Sequence, residues 1–268
     1  MITRGIRRIR SFFSRRPNTG RVCVPPEIYP DDVFLVSYPK SGSTWVRFII
    51  TYLILGTFDD SVDFKTVQEM TPDIHMVEPY GISLDVPRPR IIKSHCAFVA
   101  DYPRVVYLVR DGRDVAVSFY HHQKKMRGYS GTFQEFVEAD FQWSPSWSQH
   151  VDSWLFGHHA SPVLPIRYED LSIDAADLVE ELCSFAGIPA TSTEIESALH
   201  WSRFDRLRRV EEERGLGYVD GGNDNLKFVR KGERGNWDSL FDDAAKRIFR
   251  QRHQATLQRL GYVTSPDW

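Results

Sequence analysis

The sequence has little cysteine and no large excess of charge of either sign. Three cysteines, Cys23, Cys96 and Cys183, are spread over 268 residues. They are too few and too scattered for a disulfide framework or a zinc cluster, so we expect free or buried thiols, no metal centre and a reducing, cytoplasmic compartment. The 34 basic residues are balanced by 36 acidic ones, which argues against a nucleic-acid partner.

Acidic residues are absent from the first twenty-one positions, which contain seven arginines. Apolar residues recur there at helical spacing from Ile2 to Phe13, so one interpretation is an amphipathic helix that lies on anionic lipid and gives residues 1–21 a peripheral membrane contact. A disordered tail and an organelle presequence are the other interpretations. We therefore divide the chain into a basic N-terminal segment, 1–25, and one domain, 26–268.

Apolar runs of strand length alternate with amphipathic segments of helix length along the rest of the chain. Because this alternation is typical of parallel strands joined by helices, we predict a single α/β domain, with a mostly parallel central sheet flanked by helices on both faces. There is no internal repeat and no low-complexity tract. The predicted strands lie near 33–37, 91–94, 104–109 and 163–168, and the predicted helices near 43–55, 112–126, 147–156, 172–186 and 241–260.

A short polar loop separates the first predicted strand from its helix. It consists of Lys40, Ser41, Gly42, Ser43 and Thr44. Because a helix start presents unpaired N–H groups, small residues and hydroxyls beside a lysine suit the binding of phosphate-like oxygens. The lysine precedes the glycine, whereas an ATP-binding Walker A loop ends in Gly-Lys-[Ser/Thr]. Taken alone, the loop could also be an ordinary turn with a surface lysine.

The longer string YPKSGSTW, residues 38–45, resembles the 5′-phosphosulfate loop of the sulfotransferases that use 3′-phosphoadenosine 5′-phosphosulfate (PAPS). Ser43 stands where this family usually has threonine, which keeps a hydroxyl at that position. The resemblance implies the sulfotransferase fold with its P-loop-like strand–loop–helix. It also implies PAPS as the donor and adenosine 3′,5′-bisphosphate (PAP) as the product, with the loop and Trp45 contacting the nucleotide.

A second segment, RVVYLVRDGRDVAVSFYHH at 104–122, is similar to the 3′-phosphate motif of the same family. The resemblance implies that Arg110 and Ser118 hold the phosphate on the ribose. Arg110 follows a predicted strand, and in a parallel sheet it would face the same crevice as Lys40. An arginine paired with a nearby aspartate, and a serine bonded to its own helix, are the alternative interpretations.

A third segment, FVRKGERGNW at 228–237, lies in a glycine-rich stretch without helical or strand periodicity. It resembles the family's RKGxxGDW signature, which closes over the 3′-phosphate, although Asn236 replaces the usual aspartate. The resemblance implies nucleotide contacts by four residues of this segment: Phe228, Arg230, Lys231 and Gly232.

Transfer of a sulfuryl group needs cations to stabilise negative charge and a base to take a proton from the acceptor. Lys40 is placed to neutralise the bridging oxygen as the nucleotide leaves. In RIIKSHCAF, residues 90–98, Lys93 and His95 share one face of a strand end, where a neutral imidazole could act as the base. Through the family's Lys-x-His motif, the resemblance implies that His95 is the catalytic base and that Lys93 is a catalytic cation.

Fainter similarities concern the adenine ring and the acceptor. The family resemblance implies adenine contacts by Tyr168, Ser202 and Phe204, and Trp45 supplies another face on which the base can stack. Packing in the core is the alternative interpretation for these aromatic rings. The family builds its acceptor pocket from variable loops, here 57–89 and 125–147, whose candidate wall residues are Phe58, Met76, Tyr80, Phe141 and Trp143. Aromatic walls favour a hydroxyl on a small or lipid-like acceptor, with an amine as the less favoured group.

The resemblance thus predicts a PAPS-dependent sulfotransferase. A P-loop kinase or another ATP-dependent phosphotransferase is the alternative, and a preference for PAP over ADP without a need for magnesium would distinguish the two. A non-catalytic nucleotide-binding module is a third interpretation, which the presence of Lys40, Lys93 and His95 together disfavours. The identity of the acceptor and the oligomeric state stay open.

Overall fold

Four parallel strands form one sheet. The structure is a computed structural model that describes residues 22–216, 235–265 and 267–268. The strands are β1 (Val33–Ser37), β2 (Ile91–Ser94), β3 (Val105–Val109) and β4 (Val163–Arg167). They are arranged in the order β2-β1-β3-β4, and every neighbouring pair is parallel. In the register of the sheet, Leu35 of β1 pairs with Lys93 of β2 and with Val106 of β3.

The chain adds strands on both sides of β1, so β1 is the point at which the strand order reverses. Strand β2 lies on one side of β1, whereas β3 and β4 lie on the other. In open α/β sheets, ligands bind outside the carboxyl ends of the strands at such a reversal. Lys40 follows the end of β1 and Arg110 follows the end of β3, so the topology brings these two cations to one crevice.

The described residues contain ten α-helices and three short 3₁₀ helices. The 3₁₀ helices are Asp140–Gln142, Asp170–Ser172 and Asn236–Ser239. The α-helices are α1 (Ser43–Leu55), α2 (Phe64–Met70), α3 (Ile74–Tyr80), α4 (Gly112–Arg127), α5 (Phe133–Glu138), α6 (Trp147–Leu155), α7 (Ala175–Ala186), α8 (Ser192–Trp201), α9 (Phe204–Arg214) and α10 (Asp243–Arg259).

The two faces of the sheet carry separate hydrophobic cores. Val33 and Leu35 belong to a cluster with residues of α1, α7 and α8, whereas Phe34 and Val36 belong to a cluster with residues of α4, α5, α6 and α10. Side chains alternate along a strand, so each central strand contributes to both cores. Every residue of β1 and β3 is at most 2% exposed, which confirms the predicted parallel sheet covered on both faces.

The bounds of the longer elements agree with the prediction. Strands β1 and β2 and helix α1 have the predicted limits, and α4 ends one residue later than predicted. The sequence patterns do not predict five helices: α2, α3, α5, α8 and α9. Three of these have six or seven residues, which is too short for a periodic apolar pattern to register. Helix α9 is mostly charged, and its fully buried apolar side chains are only Leu207 and Val210.

The expectation of three free thiols is wrong. Cys23 and Cys96 form a disulfide, with their Cα atoms 5.9 Å apart, although they are 73 positions apart in the sequence. Tyr102 lies beside this disulfide. Its hydroxyl donates a hydrogen bond to the carbonyl of Cys23 and forms a second hydrogen bond with the hydroxyl of Ser94. Spacing along the chain gives no sign of a single bridge of this kind. The cysteine-based argument for a reducing compartment therefore fails.

Only Cys183 is a free thiol, and burial raises its pKa to about 11. Within the described residues, no helix is both long enough and apolar enough to cross a membrane. The arginine-rich residues 1–21 lie outside the described residues, so the lipid contact predicted for them stays a prediction.

The bridge should contribute strongly to stability, because it closes a long loop of the unfolded chain. We expect Cys23→Ser to lower the free energy of unfolding by about 4 kcal/mol for a loop of this size. Urea unfolding followed by circular dichroism measures the difference. Cys183→Ser is the matched control and should leave the response to reduction unchanged. Equal unfolding midpoints for the wild-type protein with and without a phosphine reductant would show that the bridge has no such effect.

Candidate active site

The predicted anion-binding loop lies at the carboxyl end of β1. Gly42 is the N-cap of α1 in a left-handed conformation with φ 99°, and Lys40 also has a positive φ of 73°. Because the cap residue is glycine, no side chain caps the first turn, and that turn carries no acidic residue. The helix start therefore presents its N–H groups and its positive dipole end to the crevice. Two residues of this loop, Ser41 and Ser43, are buried.

The ring of Tyr168 joins the loop to the rest of the site. A Cβ atom on Gly42 would lie 2.4 Å from Cδ2 of Tyr168, so only glycine fits against this ring. The Arg110 guanidinium lies 4.3 Å from the ring centroid, and the ring of Trp45 lies 5.8 Å from it. Trp45 in turn contacts Phe204, with 5.4 Å between ring centroids. Five residues predicted for the nucleotide site, from four separate segments of the chain, thus form one contiguous cluster.

Arg110 has a carboxylate neighbour as well as the tyrosine ring. One of its terminal nitrogens lies 3.7 Å from Oδ2 of Asp114, so the arginine has the nearby aspartate as a partner, while its predicted contact with a 3′-phosphate stays a prediction. Burial raises the pKa of Asp114, although the Gly235 N–H group, which donates to Oδ2 at 2.9 Å, opposes the rise. Ser118 lies one turn further along α4 and is half-buried. Arg110 precedes α4 and Ser118 lies about two turns into it, and their shared contact with a 3′-phosphate stays a prediction.

Ser202 is fully buried at the end of α8, where its hydroxyl donates to the carbonyl of Leu199 at 3.3 Å. Its predicted adenine contact stays a prediction. The four predicted residues of the glycine-rich segment, Phe228, Arg230, Lys231 and Gly232, lie outside the described residues, and their nucleotide contacts stay predictions too.

Sequence reasoning missed the carboxylate that fixes the start of α4. Glu169, the residue after Tyr168, accepts the N–H of Asp111 at 3.0 Å through Oε1 and the hydroxyl of Tyr262 at 2.9 Å through Oε2. Asp111 is the N-cap of α4 and also pairs with Arg113. The sequence does carry a signal, because Glu169 directly follows Tyr168 just after the end of β4.

His95 is held in one tautomer by the end of β1. Its Nδ1 lies 2.7 Å from the carbonyl oxygen of Ser37. A carbonyl oxygen only accepts hydrogen bonds, so Nδ1 carries the proton and Nε2 keeps its lone pair. Burial lowers the pKa of His95 well below its usual value, the charge of Lys93 lowers it further, and Asp73 opposes both. The imidazole is therefore neutral at physiological pH, the state that a general base requires.

Two side chains, Trp143 and His75, pack around the ring of His95, and only Trp143 was predicted from the sequence. Trp143, a predicted wall residue, meets the His95 ring edge to face with 6.2 Å between centroids. His75 was missed: its Nε2 accepts the backbone N–H of His95 at 2.9 Å, and its ring is stacked on that of His95. The sequence predicts the segment 57–89 as a loop of the acceptor pocket, and it does not reveal helix α3, which carries His75.

Lys93 is buried and forms an ion pair with Asp73. Burial alone would raise the pKa of Asp73, but the charge of Lys93, together with smaller contributions from His75, His95 and Arg47, outweighs burial, and the pKa lies well below the usual range. The side chains of Lys93 and His95 leave the same end of β2, as the sequence predicts. The carboxylate beside them is an addition that the sequence did not reveal.

An aromatic wall runs from His95 to the neighbourhood of Lys40. Trp143 contacts Phe119, and Phe119 contacts His122, with centroids 5.9 Å and 6.3 Å apart. Burial lowers the pKa of His122 to about 3, and the positive charge of Lys40 adds to this shift. A neutral imidazole thus faces the lysine of the loop.

The other predicted wall residues differ in burial and in packing. Phe141 has no exposed surface and packs between Phe136 and Phe249, so it belongs to the core rather than to a pocket wall. Phe58 stacks on Tyr52 of α1. Met76 is half-buried on α3.

A family model described as the sulfotransferase domain matches residues 30–261. Among known proteins, the chain is 28% identical to sulfotransferase 1A1 of Bos taurus, over 83% of this chain and 82% of that protein. The crystal structure of mouse sulfotransferase SULT7A1 complexed with PAP aligns with a TM-score of 0.65 at 23% identity, covering 88% of this chain and 90% of that one.

A crystal structure of retinol dehydratase in a complex with retinol and PAP is also similar. It aligns with a TM-score of 0.64 at 23% identity, covering 87% of this chain and 82% of that chain. At this level of identity, the two structural likenesses confirm the α/β fold and carry no statement about ligands.

The contact between Gly42 and Tyr168 can be tested with a pair of glycines at the two ends of α1. Gly56, the C-cap, has a φ of 58° and open space around it, so Gly56→Ala should cost about 1 kcal/mol of unfolding free energy from backbone strain alone. Gly42→Ala should cost about 2 kcal/mol more, because the methyl group must displace the buried ring. Urea unfolding of both variants measures this. Equal losses would mean that the ring does not constrain the loop.

Proposed function

The chain belongs to the sulfotransferase domain family, and from this premise we propose how its own residues bind the donor and activate the acceptor. The protein is a PAPS-dependent sulfotransferase that moves a sulfuryl group from PAPS to a small-molecule acceptor and releases PAP. The family match, which covers residues 30–261, leaves the kinase alternative without support.

We infer that the crevice between β1 and β3 binds the two ends of the donor. Lys40 and the loop 41–44 take the 5′-phosphosulfate, while Arg110 and Ser118 take the 3′-phosphate. Trp45, Phe204 and Tyr168 border the adenosine, and Ser202 closes this side. In the same proposal, Phe228, Arg230, Lys231 and Gly232 cover the 3′-phosphate. The convergence of Gly42, Trp45, Arg110, Tyr168 and Phe204 on one cluster supports this assignment.

The proposed transfer step is in-line. Nε2 of His95 takes the proton of the acceptor hydroxyl while the acceptor oxygen forms its bond to sulfur. The bond between sulfur and the bridging oxygen breaks, and PAP leaves with the electron pair. Lys40 neutralises charge on that bridging oxygen, and Lys93 stabilises the sulfuryl oxygens. The hydrogen bond from Nδ1 of His95 to the Ser37 carbonyl is the observation that carries the choice of base, because it leaves the Nε2 lone pair available.

We propose an apolar or aryl alcohol as the acceptor. The wall formed by Trp143 and Phe119 next to His95 supports this class, because flat aromatic surfaces favour apolar partners. Retinol, which is bound in one of the similar structures, is an alcohol of this kind. An arginine-rich segment at 1–21 would suit a lipid-like acceptor held near a membrane surface. A screen with radiolabelled PAPS and 1-naphthol, androsterone, retinol and an aryl amine tests the class.

A cytoplasmic location rests on the family resemblance alone. The disulfide between Cys23 and Cys96 opposes it, because such bridges are rare in reducing compartments. Trapping of free thiols in intact cells, followed by mass spectrometry of the two cysteine peptides, decides the point. A bridge that is reduced in cells would agree with the cytoplasm.

His95→Ala should abolish transfer while it leaves PAP binding nearly unchanged. The imidazole is proposed to act on the acceptor proton rather than on the nucleotide, so we expect a loss of about a hundredfold or more in kcat. The measurements are turnover of PAPS with 1-naphthol and the Kd for PAP by calorimetry. His200→Ala, which removes an exposed imidazole on α8, is the control. A parallel loss of nucleotide affinity, or retained turnover, would remove His95 from this role.

Arg110→Gln should weaken the binding of PAP selectively. Loss of a charged hydrogen-bonding partner of the 3′-phosphate should raise the Kd for PAP by about ten- to a hundredfold. The Kd for adenosine 5′-monophosphate, which lacks that phosphate, should change little. Arg104→Gln, at the opposite end of β3, serves as the matched control. If both nucleotides lost affinity equally, Arg110 would support the site as a whole rather than recognise the 3′-phosphate.

A further inference from the structure

A buried carboxylate lies directly beside the two residues proposed for catalysis on β2. Asp73 forms an ion pair with Lys93, and both residues are at most 9% exposed. The segment that carries Asp73 runs along β2: the Lys93 N–H donates to the carbonyl of Pro72 at 2.8 Å, and Asp73 and Lys93 form an isolated parallel bridge. The backbone therefore holds this carboxylate against the lysine.

The same carboxylate also reaches the base through α3. Asp73 is the N-cap of that helix, and its Oδ1 accepts the N–H of His75 at 3.0 Å, while Oδ2 contacts Lys93. His75 in turn accepts the N–H of His95 at 2.9 Å, and the two imidazole rings are 10° from parallel. One oxygen of Asp73 thus contacts the cation, and the other orients the turn that touches the base.

A buried arginine ties this turn to the donor loop. Nε of Arg47, on α1, donates to the carbonyl of Thr71 at 2.8 Å, two residues before Asp73. A terminal nitrogen of Arg47 donates to Oε1 of Gln68 at 2.6 Å. Helix α1 begins at the phosphosulfate loop, so the position of Asp73 is fixed relative to the proposed donor site.

We propose that Asp73 is a positioning residue for sulfuryl transfer, which fixes the Lys93 ammonium and the α3 turn beside His95 so that both act on one acceptor. This inference rests on the functions proposed above for Lys93 and His95. Asp73 itself touches neither donor nor acceptor in this scheme. Its contribution is geometric and electrostatic, through the two residues that do.

The charge of Asp73 should shift the pKa values of its neighbours in one predictable direction. The charged or titratable groups around Asp73 and His95 are Lys93 on β2, His75 on α3, Arg47 on α1 and His150 on α6, which contacts the carbonyl of His95. Removal of the Asp73 charge favours the deprotonated form of each neighbour, because a positive charge there has lost its counter-ion. It should therefore lower the pKa of His95 further and let Lys93 lose its proton at lower pH. The alkaline limb of the rate profile should move to lower pH.

Asp73→Asn tests the proposal with two measurements. Asparagine is also a good N-cap, so the start of α3 should persist. First, NMR of protein labelled with ¹³C at Cε of lysine follows Lys93, assigned by the loss of its signal in Lys93→Arg. The midpoint of its titration should fall by about one pH unit. Second, turnover of PAPS with 1-naphthol should show the alkaline limb displaced in the same direction and kcat reduced by about tenfold. The Kd for PAP should stay within a factor of about two, because Asp73 does not contact the nucleotide.

Two further variants test whether the effect comes from the charge at position 73 or from a general change at a helix N-cap. Asp73→Glu keeps the charge and should restore the position of the alkaline limb. Asp63→Asn changes the N-cap carboxylate of α2, which bonds to Thr66, and should leave both measurements at wild-type values.

An unchanged Lys93 titration, or a shifted titration with unchanged kcat and pH profile, would overturn the proposal. If instead His95→Ala kept full turnover, the proposed function would fail, while the NMR measurement would still decide whether Asp73 controls the charge of Lys93.

Discussion

The hydrogen bond between Nδ1 of His95 and the carbonyl of Ser37 links the two halves of the proposed site. Ser37 is the last residue of β1, three positions before Lys40, and His95 immediately follows β2. Because β1 and β2 are adjacent parallel strands, their carboxyl ends emerge together, and the bond fixes the base against the strand that leads into the donor loop. It also determines which nitrogen holds the proton. The tautomer of the proposed base thus depends on one backbone oxygen.

This arrangement is possible because β1 and β3 are buried on both faces. A strand that packs into two cores cannot shift its register without exposing apolar side chains, so the residues that follow it emerge at a fixed height. Lys40 and Arg110 both benefit from this constraint, since Arg110 directly follows β3 and Lys40 lies three positions beyond the end of β1. The ring of Tyr168 contacts both the Arg110 guanidinium and the loop at Gly42, and glycine is the only residue type that lets the loop approach the ring so closely.

The sequence was most informative where the chemistry is local. A strand, a small polar loop and a helix in succession predict the bounds of β1 and α1 and the anion-binding character of residues 40–44, because these depend on neighbours in the chain. What could not be predicted depends on contacts between distant segments. The disulfide joins residues 73 positions apart, and the pair of Asp73 with Lys93 requires a seven-residue helix that has no periodic signal. The tautomer of His95 likewise follows from a backbone carbonyl whose location only the fold provides.

Two of the proposed cations, Lys93 and Arg110, are compensated by carboxylates. Lys93 lies against Asp73, and Arg110 lies 3.7 Å from Asp114, so each buried charge has a carboxylate neighbour in the described structure. A buried ammonium or guanidinium without a counter-ion would carry a large desolvation cost, and these pairs reduce it. The carboxylates of these pairs also repel a polyanionic nucleotide. The net electrostatic attraction should therefore be weaker than the number of cations alone would give. Selectivity for a ribose phosphate would then come from the placement of Arg110 over Tyr168 more than from charge. A strongly bound product would slow turnover, so such partial neutralisation is compatible with rapid release of PAP.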